Sequence, residues 1–205
     1  MHRRLVLSAF LVFLAAGLGG GAARAEIRVV EPDKPEALPA FTLSDHKGAP
    51  FTAERYKGQW SLTAIGFTAC PDVCPFVLSN IAEVINQMTL RVRPDNLPQV
   101  VFVGVDPGRD APVMADYVAH FDPNFVGVTG SHEELAKLVK GIDGFYRIGK
   151  TKKDGDYEVQ HSASVIVTGP DGRVHAKLSP PLDPGEVAEY LARKQIAYVR
   201  AQRNN

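Results

Sequence analysis

The chain has 205 residues, of which 45% are hydrophobic and 22% are charged. This balance is typical of a soluble globular protein, and the length suffices for one ordinary domain with an N-terminal extension. Lysine and arginine together number 23, as do aspartate and glutamate, so the formal net charge is zero. Because nucleic-acid-binding domains concentrate basic residues on one face, this even balance indicates no nucleic-acid partner.

The first 25 residues have the layout of an export signal. Two arginines at positions 3 and 4 precede an almost wholly apolar stretch over residues 5–18, and Ala-Arg-Ala at 23–25 is a small-x-small cleavage site. This order predicts a secretory signal peptide over residues 1–25, cleaved after Ala25. The uncharged stretch is barely long enough to span a bilayer, so an uncleaved membrane anchor is the alternative. In either case we expect the remaining chain in the periplasm or another extracytoplasmic compartment.

The next segment, residues 26–40, contains three prolines and is predicted to be an extended linker. A small β-hairpin is expected over residues 41–52, because two short strand-like runs flank the turn sequence Asp-His-Lys-Gly. Apolar runs of strand length predict three further strands, at Ser61–Phe67, Val100–Val105 and Phe125–Val128.

Helices are predicted where apolar residues recur at helical spacing or where capping signals open a segment. They are expected over Phe76–Met88, over Pro112–Phe121 with Asp110 as the cap, from a Ser131/Glu134 capping box to about Ile142, and from Asp183 and Pro184 onward. A second hairpin is expected to pair Ala163–Thr168 with Arg173–Leu178. This order predicts an α/β fold, with a mixed central sheet flanked by helices, in the thioredoxin-like layout over residues 41–205.

The chain contains two cysteines, Cys70 and Cys74, separated by three residues. In an exported protein the ordinary interpretation is one structural disulfide. A bond across so small a loop would restrain little of the unfolded chain, so reactivity or metal binding is the stronger interpretation. The loop joins a predicted core strand to a helix, and we expect the partial positive charge of the helix start to favour the thiolate of Cys74.

Two thiolates suit a soft cation such as copper(I), which accepts two or three soft ligands. The candidate third ligand is His161, because it immediately precedes the strand Ala163–Thr168, whose leading loop abuts the cysteine loop in a thioredoxin-like sheet. Thioredoxin-type oxidoreductases carry a cis-proline in that loop, whereas this chain has Gln-His-Ser at 160–162. The other five histidines are interpreted as signal, surface or packing residues.

Three stretches of the chain resemble the Sco/SenC family of copper-binding assembly factors. They are Cys-Pro-Asp-Val-Cys-Pro at 70–75, Val-Gly-Val-Asp-Pro-Gly-Arg-Asp at 103–110 and Val-Gln-His-Ser at 159–162. The resemblance implies a thioredoxin-like fold and one copper ion per chain, bound by two cysteines and a histidine, here Cys70, Cys74 and His161. It also implies a role in building the dinuclear copper site of cytochrome c oxidase.

Asp72 and Asp106 also match the family pattern, and the resemblance implies that they orient ligands or partners around the metal. A plain turn residue is an equal alternative for Asp72, and a strand-end turn residue is the alternative for Asp106. The chain departs from the pattern at Gly108 and Gln160, where acidic residues are common, and neither change removes a ligand.

Two functions are compatible with this pattern. The first is a copper chaperone whose partner is the copper-binding subunit of cytochrome c oxidase. The second is a thiol–disulfide oxidoreductase that uses Cys70 and Cys74 as a redox pair to reduce the copper-ligand cysteines of that subunit. A further periplasmic copper chaperone or thiol reductase is a possible partner for either. A thiol peroxidase is disfavoured, because the threonine or serine expected three residues before its cysteine is Phe67 here.

Overall fold

The computed structural model of the protein describes residues 27–153 and 155–203. The predicted signal peptide or anchor, residues 1–25, lies outside these residues. Among the helices in the described ranges, none is both long enough and apolar enough to cross a membrane.

Eleven strands are present in the described residues. In chain order they are β1 Arg28–Val30, β2 Glu36–Ala37, β3 Thr42–Asp45, β4 Pro50–Thr52, β5 Ser61–Gly66, β6 Gln99–Gly104, β7 Val126–Thr129, β8 Tyr146–Ile148, β9 Val159–His161, β10 Val165–Thr168 and β11 Arg173–Ser179. The α-helices of the same residues are α1 Val73–Met88, α2 Pro107–Asp110, α3 Met114–Phe121, α4 His132–Gly141 and α5 Pro184–Arg203.

The main sheet is mixed, in the order β1-β11-β10-β5-β6-β7-β3-β4, with β2 also paired to β11. Strands β5, β6 and β7 are parallel neighbours. Strand β10 runs antiparallel to β5, with Val165 opposite Ala64. Strand β3 runs antiparallel to β7 at the other side. Parallel strands connected through helices, flanked by antiparallel strands, confirm the predicted α/β fold with a mixed sheet.

Two hydrophobic cores cover the two faces of this sheet. Side chains of α1, α3 and α5 pack with Leu62, Ala64 and Phe102 on one face. Side chains of α4 and of the β3–β4 hairpin pack with Val101 and Val103 on the other. Because successive side chains of a strand point to opposite faces, the continuous apolar runs of β5 and β6 supply both cores at once. These two buried strands therefore form the rigid base from which the loops at their carboxyl ends emerge.

The predicted linker over residues 26–40 contains two strands that belong to the sheet. Strand β1 pairs antiparallel with β11, with Val29 opposite Leu178. Glu31 extends this attachment, because its carboxylate accepts hydrogen bonds from Tyr190 Oη at 2.6 Å and from Lys194 Nζ at 2.5 Å, both on α5. The described part of the predicted linker is therefore attached both to the sheet and to α5.

The predicted helix from Pro112 to Phe121 is confirmed as α3, which starts two residues later than predicted, and the short helix α2 that precedes it was not predicted. Helix α2 ends at Asp110 and α3 begins at Met114. The expected capping role of Asp110 is wrong, because its fully buried carboxylate instead accepts hydrogen bonds from the backbone N–H groups of Thr68 at 2.7 Å and Asp106 at 2.9 Å.

The capping box that opens α4 is half formed. Ser131 Oγ accepts a hydrogen bond from the backbone N–H of Glu134 at 3.3 Å, as predicted. The Glu134 carboxylate does not return to the cap and instead accepts from the backbone N–H of Thr42 at 2.7 Å, which ties α4 to the first hairpin.

The strand pairing of β1 leads to a prediction that compares two adjacent valines. Val29 packs partly buried against the first core, whereas the Val30 side chain is 60% exposed. We expect Val29→Ala to lower the free energy of unfolding by about 1 kcal/mol and Val30→Ala by less than about 0.5 kcal/mol. Urea unfolding of both variants measures the difference. Equal, negligible effects at the two positions would show that this segment is a free linker in solution.

Candidate metal centre

The cysteine loop leaves the carboxyl end of a buried strand. Strand β5 ends at Gly66, the loop carries Cys70, and α1 begins at Val73 with Cys74 in its first turn. A Cβ atom built on Gly66 would lie 2.7 Å from Cys74 Sγ and 2.7 Å from the Phe102 ring. Glycine is therefore required at the end of β5 for the Cys74 sulfur to sit against the strand.

A buried carboxylate holds the start of the same loop. Thr68 donates hydrogen bonds to Asp110 Oδ1 from its backbone N–H at 2.7 Å and from its hydroxyl at 2.8 Å. The other carboxylate oxygen accepts from the backbone N–H of Asp106. Asp110 thus joins the cysteine loop to the turn that follows β6. Burial raises the pKa of Asp110, and the hydrogen bonds from Thr68 and Asp106 oppose that rise.

His161 comes to the cysteines through the strand next to β5. Because β10 runs antiparallel to β5 with Val165 opposite Ala64, the residues that enter β10 lie beside the end of β5. His161 was expected in a loop and is instead the last residue of β9, which pairs antiparallel with β8. Ser162 closes this ribbon, since its backbone N–H donates to the Phe145 carbonyl at 3.0 Å.

The structure brings the three predicted ligands together. One ligand atom each from Cys70, Cys74 and His161 all lie within 4.8 Å of one another. Within the described part of the chain, this is the one group of three or more His, Cys, Asp or Glu side chains that converges in this way. Both cysteines are free thiols.

The imidazole is oriented with a ring nitrogen toward the sulfur of Cys74. His161 Nδ1 lies 3.0 Å from the carbonyl oxygen of Ser162, and Nε2 lies 3.3 Å from Cys74 Sγ. A carbonyl oxygen can only accept, so the Nδ1 proton is donated to Ser162 and the lone pair is on Nε2. Nε2 thereby faces the Cys74 sulfur and is the nitrogen available to a metal.

The two thiols have opposite pKa shifts. Burial opposes ionisation of Cys70, but the backbone N–H groups at the start of α1, those of Cys74, Asp72 and Val73, donate to its sulfur and lower its pKa. Burial raises the pKa of Cys74 far above its usual value, and the nearby Cys70 and Asp110 charges add to the rise. The expectation that the helix start favours the Cys74 thiolate is therefore wrong. The N–H groups of the first turn point back along the chain, toward Cys70.

The two family-pattern aspartates do different things. The Asp72 side chain is exposed and does not cap α1 with a hydrogen bond among the described residues. Its backbone N–H nevertheless contributes to the lowered pKa of Cys70. Asp106 is 3% exposed and accepts hydrogen bonds from Tyr157 Oη at 2.8 and 3.0 Å and from the Arg109 guanidinium. The sequence patterns did not indicate that Asp106 contacts Tyr157 and Arg109.

The remaining described histidines lie outside the group. His46 accepts from the backbone of Gly127, His132 contacts Tyr146, His175 contacts Asp171, and His120 packs against Phe121. These contacts agree with their interpretation as surface and packing residues.

The donor set fits a soft, low-coordinate metal ion. Metal–sulfur distances of about 2.3 Å and metal–nitrogen distances of about 2.1 Å place ligand atoms about 4 Å apart around one ion. The observed separations, all within 4.8 Å, are of that size. A structural zinc site would use four protein ligands, whereas copper(I) is satisfied by two thiolates and one imidazole.

Comparisons with known proteins agree on one family. The SCO1/SenC family model matches residues 30–195. A putative copper-binding protein of Stutzerimonas stutzeri is 37% identical over 147 residues, which cover 71% of this chain and 71% of that protein.

Solved structures give the same result for the fold. Bradyrhizobium japonicum ScoI with copper bound has a TM-score of 0.68 and 33% identity, over 77% of this chain and 99% of that one. Yeast Sco1 with copper bound has a TM-score of 0.74 and 28% identity, over 82% of this chain and 93% of that one. The fold is thioredoxin-like, and with a family model matched over residues 30–195 the chain belongs to the SCO1/SenC family.

Proposed function

We propose that this protein is an extracytoplasmic copper metallochaperone. It binds one copper ion through Cys70, Cys74 and His161 and assists assembly of the dinuclear copper site of cytochrome c oxidase. The observation that carries the proposal is the convergence of two sulfur atoms and one imidazole nitrogen within 4.8 Å. Two relatives of the same fold that are more than 25% identical have copper bound.

The two thiols have different roles in metal binding. Cys70 is partly exposed and its pKa is lowered, so it is the more accessible and the more readily ionised of the two thiols when a copper ion arrives. Cys74 is buried and protonated, and its proton must leave as the metal binds, because thiolate and not thiol is the ligand. His161 then supplies its Nε2 nitrogen, because Nδ1 is held by the Ser162 carbonyl.

The oxidase role comes from the family resemblance. The partner is the copper-binding subunit of cytochrome c oxidase, and a periplasmic copper chaperone or thiol reductase is the expected supplier of copper or electrons. Export by the N-terminal segment, residues 1–25, places the protein in the compartment where that subunit exposes its copper site. An imidazole as the third ligand suits a copper ion that must be delivered, because exchange of this one ligand opens a coordination position for the acceptor.

The second candidate function is a thiol–disulfide oxidoreductase acting on the oxidase subunit. One observation favours it: Cys70 and Cys74 are both free, their side chains are in hydrogen-bond contact, and the more exposed thiol has the lowered pKa. That asymmetry is typical of an attacking and a resolving cysteine. The imidazole at 3.3 Å from Cys74 Sγ favours the metal, since it adds a third ligand to the two sulfurs, which a dithiol–disulfide exchange does not need.

The first test is metal binding by the reduced protein. We expect one copper per chain by elemental analysis after dialysis against copper and zinc together, because the donor set is soft and three-coordinate. Cys70→Ala and Cys74→Ala should abolish tight binding. His161→Ala should weaken it by more than the roughly 10–100-fold that loss of an outer hydrogen-bond partner costs, with the fold intact.

Oxidation provides the control for this test. A Cys70–Cys74 disulfide removes both thiolates, so the oxidised protein, two hydrogens lighter by mass spectrometry, should not bind copper. Unchanged copper affinity after oxidation, or preferential retention of zinc by the reduced protein, would contradict the assigned ligands.

The Gly66 contact gives a prediction with a matched control. Gly66→Ala places a methyl group 2.7 Å from Cys74 Sγ, whereas a Cβ on Gly108 meets nothing within 4 Å. We expect Gly66→Ala to lower stability by about 1–3 kcal/mol through overpacking and to weaken copper binding, since the sulfur must move. Gly108→Ala should leave copper binding unchanged. Chelator competition measures copper affinity and urea unfolding measures stability. Normal copper affinity of the Gly66→Ala protein would contradict the position assigned to the Cys74 sulfur.

The cellular role can be separated from thiol chemistry with one variant. Deleting the gene should lower cytochrome c oxidase activity, most strongly when copper is scarce, and added copper should partly restore it by mass action. A His161→Ala strain should behave like the deletion if copper is the cargo. Oxidase activity at the wild-type level in that strain under low copper would support the thiol–disulfide oxidoreductase instead.

A further inference from the structure

Three segments meet around the metal centre, and one arginine contacts a residue of each. They are the cysteine loop, represented by Phe67, the turn after β6, which carries Asp106 and Arg109, and the approach to β9, which carries Tyr157. The Arg109 guanidinium lies over the Tyr157 ring at 3.9 Å and over the Phe67 ring at 5.7 Å. Arg109 thus lies between the segment that carries the cysteines and the segment that carries the histidine.

The same groups are also joined by hydrogen bonds. Asp106 accepts from the Arg109 guanidinium and from Tyr157 Oη, so cation, ring and carboxylate form a closed triangle. Asp106 is itself fixed, because its backbone N–H donates to Asp110, which holds Thr68 of the cysteine loop. We call Asp106, Arg109 and Tyr157 the clasp.

The hairpin held by the clasp has little intrinsic stability. Strands β8 and β9 have three residues each and form a two-stranded sheet separate from the main one. An isolated two-stranded ribbon is marginal in water. Tyr157 precedes His161 by four residues, so a fixed tyrosine ring restricts where the end of β9 can lie.

Arginine suits this position because its planar guanidinium can lie flat against aromatic rings. Arg109 Nη2 is buried and has no hydrogen-bond acceptor among the described residues, so the aromatic faces are what that end of the guanidinium contacts. A lysine could pair with Asp106 but could not stack between two rings.

We propose that Arg109 is a positioning residue for the metal centre: through the clasp it holds the β8–β9 hairpin so that His161 Nε2 faces the Cys74 sulfur. This inference rests on the proposed function for its consequence in copper binding. Its structural part, the restraint of the hairpin, holds for the metal-free protein as well.

The first experiment is amide hydrogen exchange of the metal-free protein, which tests the restraint without copper. Arg109→Gln should speed exchange over residues 157–162 by at least about fivefold and leave α5 unchanged, because local opening costs less than global unfolding. Tyr157→Phe, which keeps the ring, should have a smaller effect than Tyr157→Leu. No change over residues 157–162, or equal acceleration throughout the protein, would overturn the proposal.

Arg55 provides a matched control. It also lies over an aromatic ring, that of Phe51 at 5.4 Å, and beside an aspartate, Asp45 at 3.9 Å, but in the first hairpin. Arg55→Gln should leave exchange over residues 157–162 and copper affinity unchanged. An equal effect of the two arginine substitutions on the hairpin would show a general loss of stability and overturn the proposal.

The second experiment is a double-mutant cycle with copper(I) and a chromophoric competing chelator. Arg109→Gln should weaken copper(I) binding about tenfold when His161 is present, as loss of an outer partner does. In the His161→Ala background the same substitution should change affinity by less than about twofold, since there is no imidazole left to position. Equal weakening in both backgrounds would show that Arg109 acts on the cysteines and overturn the proposal. Absence of copper binding in the unsubstituted protein would overturn the proposed function. Hydrogen exchange would still show whether Arg109 restrains the β8–β9 hairpin.

Discussion

The centre depends on the antiparallel register between β10 and β5. Val165 lies opposite Ala64, so the chain enters β10 beside the point where β5 leaves the sheet for the cysteine loop. The sulfur of Cys74 and the imidazole of His161, 87 residues apart, meet at 3.3 Å for this reason. A slip of one residue would exchange the side chains of β10 between the two cores, so packing on both faces fixes the register and with it the ligand geometry.

Within that frame, the N-terminal end of α1 makes the two thiols unequal. Its N–H groups lower the pKa of Cys70 on the more exposed side, while burial raises the pKa of Cys74 beneath it. A metal or an oxidant therefore meets the more readily ionised thiol first and the thiol that resists ionisation second. The same asymmetry serves metal capture and disulfide formation, and the imidazole at the second sulfur is what distinguishes the two chemistries.

The sequence predicted the parts of this structure that leave a local pattern. The apolar runs of β5 and β6, the period of α1 and the spacing of Cys70 and Cys74 are all visible within a few residues, and the position of His161 followed from the order of elements. The role of Asp110 was not visible, because a carboxylate ahead of a helix gives the same local signal as a cap, whereas its partner Thr68 is 42 residues away. The pairing of β1 with β11 and the contacts of the clasp also join residues far apart in the sequence, so no local pattern could predict them. The β8–β9 hairpin did leave a signal, since Tyr157, Val159 and His161 alternate with polar residues at the period of a strand.

The distribution of ligands over two segments bears on how a cargo could be both held and released. Cys70 lies in a loop that Asp110 holds at its start, and Cys74 is buried in the first turn of α1 against Gly66, so the Cys74 sulfur cannot withdraw without disturbing the core. His161 belongs to a short two-stranded ribbon outside the main sheet, which is held by the clasp and by the packing of Val159 and not by strands on both sides. A metal on these three atoms would therefore lose its nitrogen before its sulfurs. If the protein delivers copper as proposed, a thiolate of the acceptor would take the place of that nitrogen, and neither cysteine would have to move for the exchange to begin.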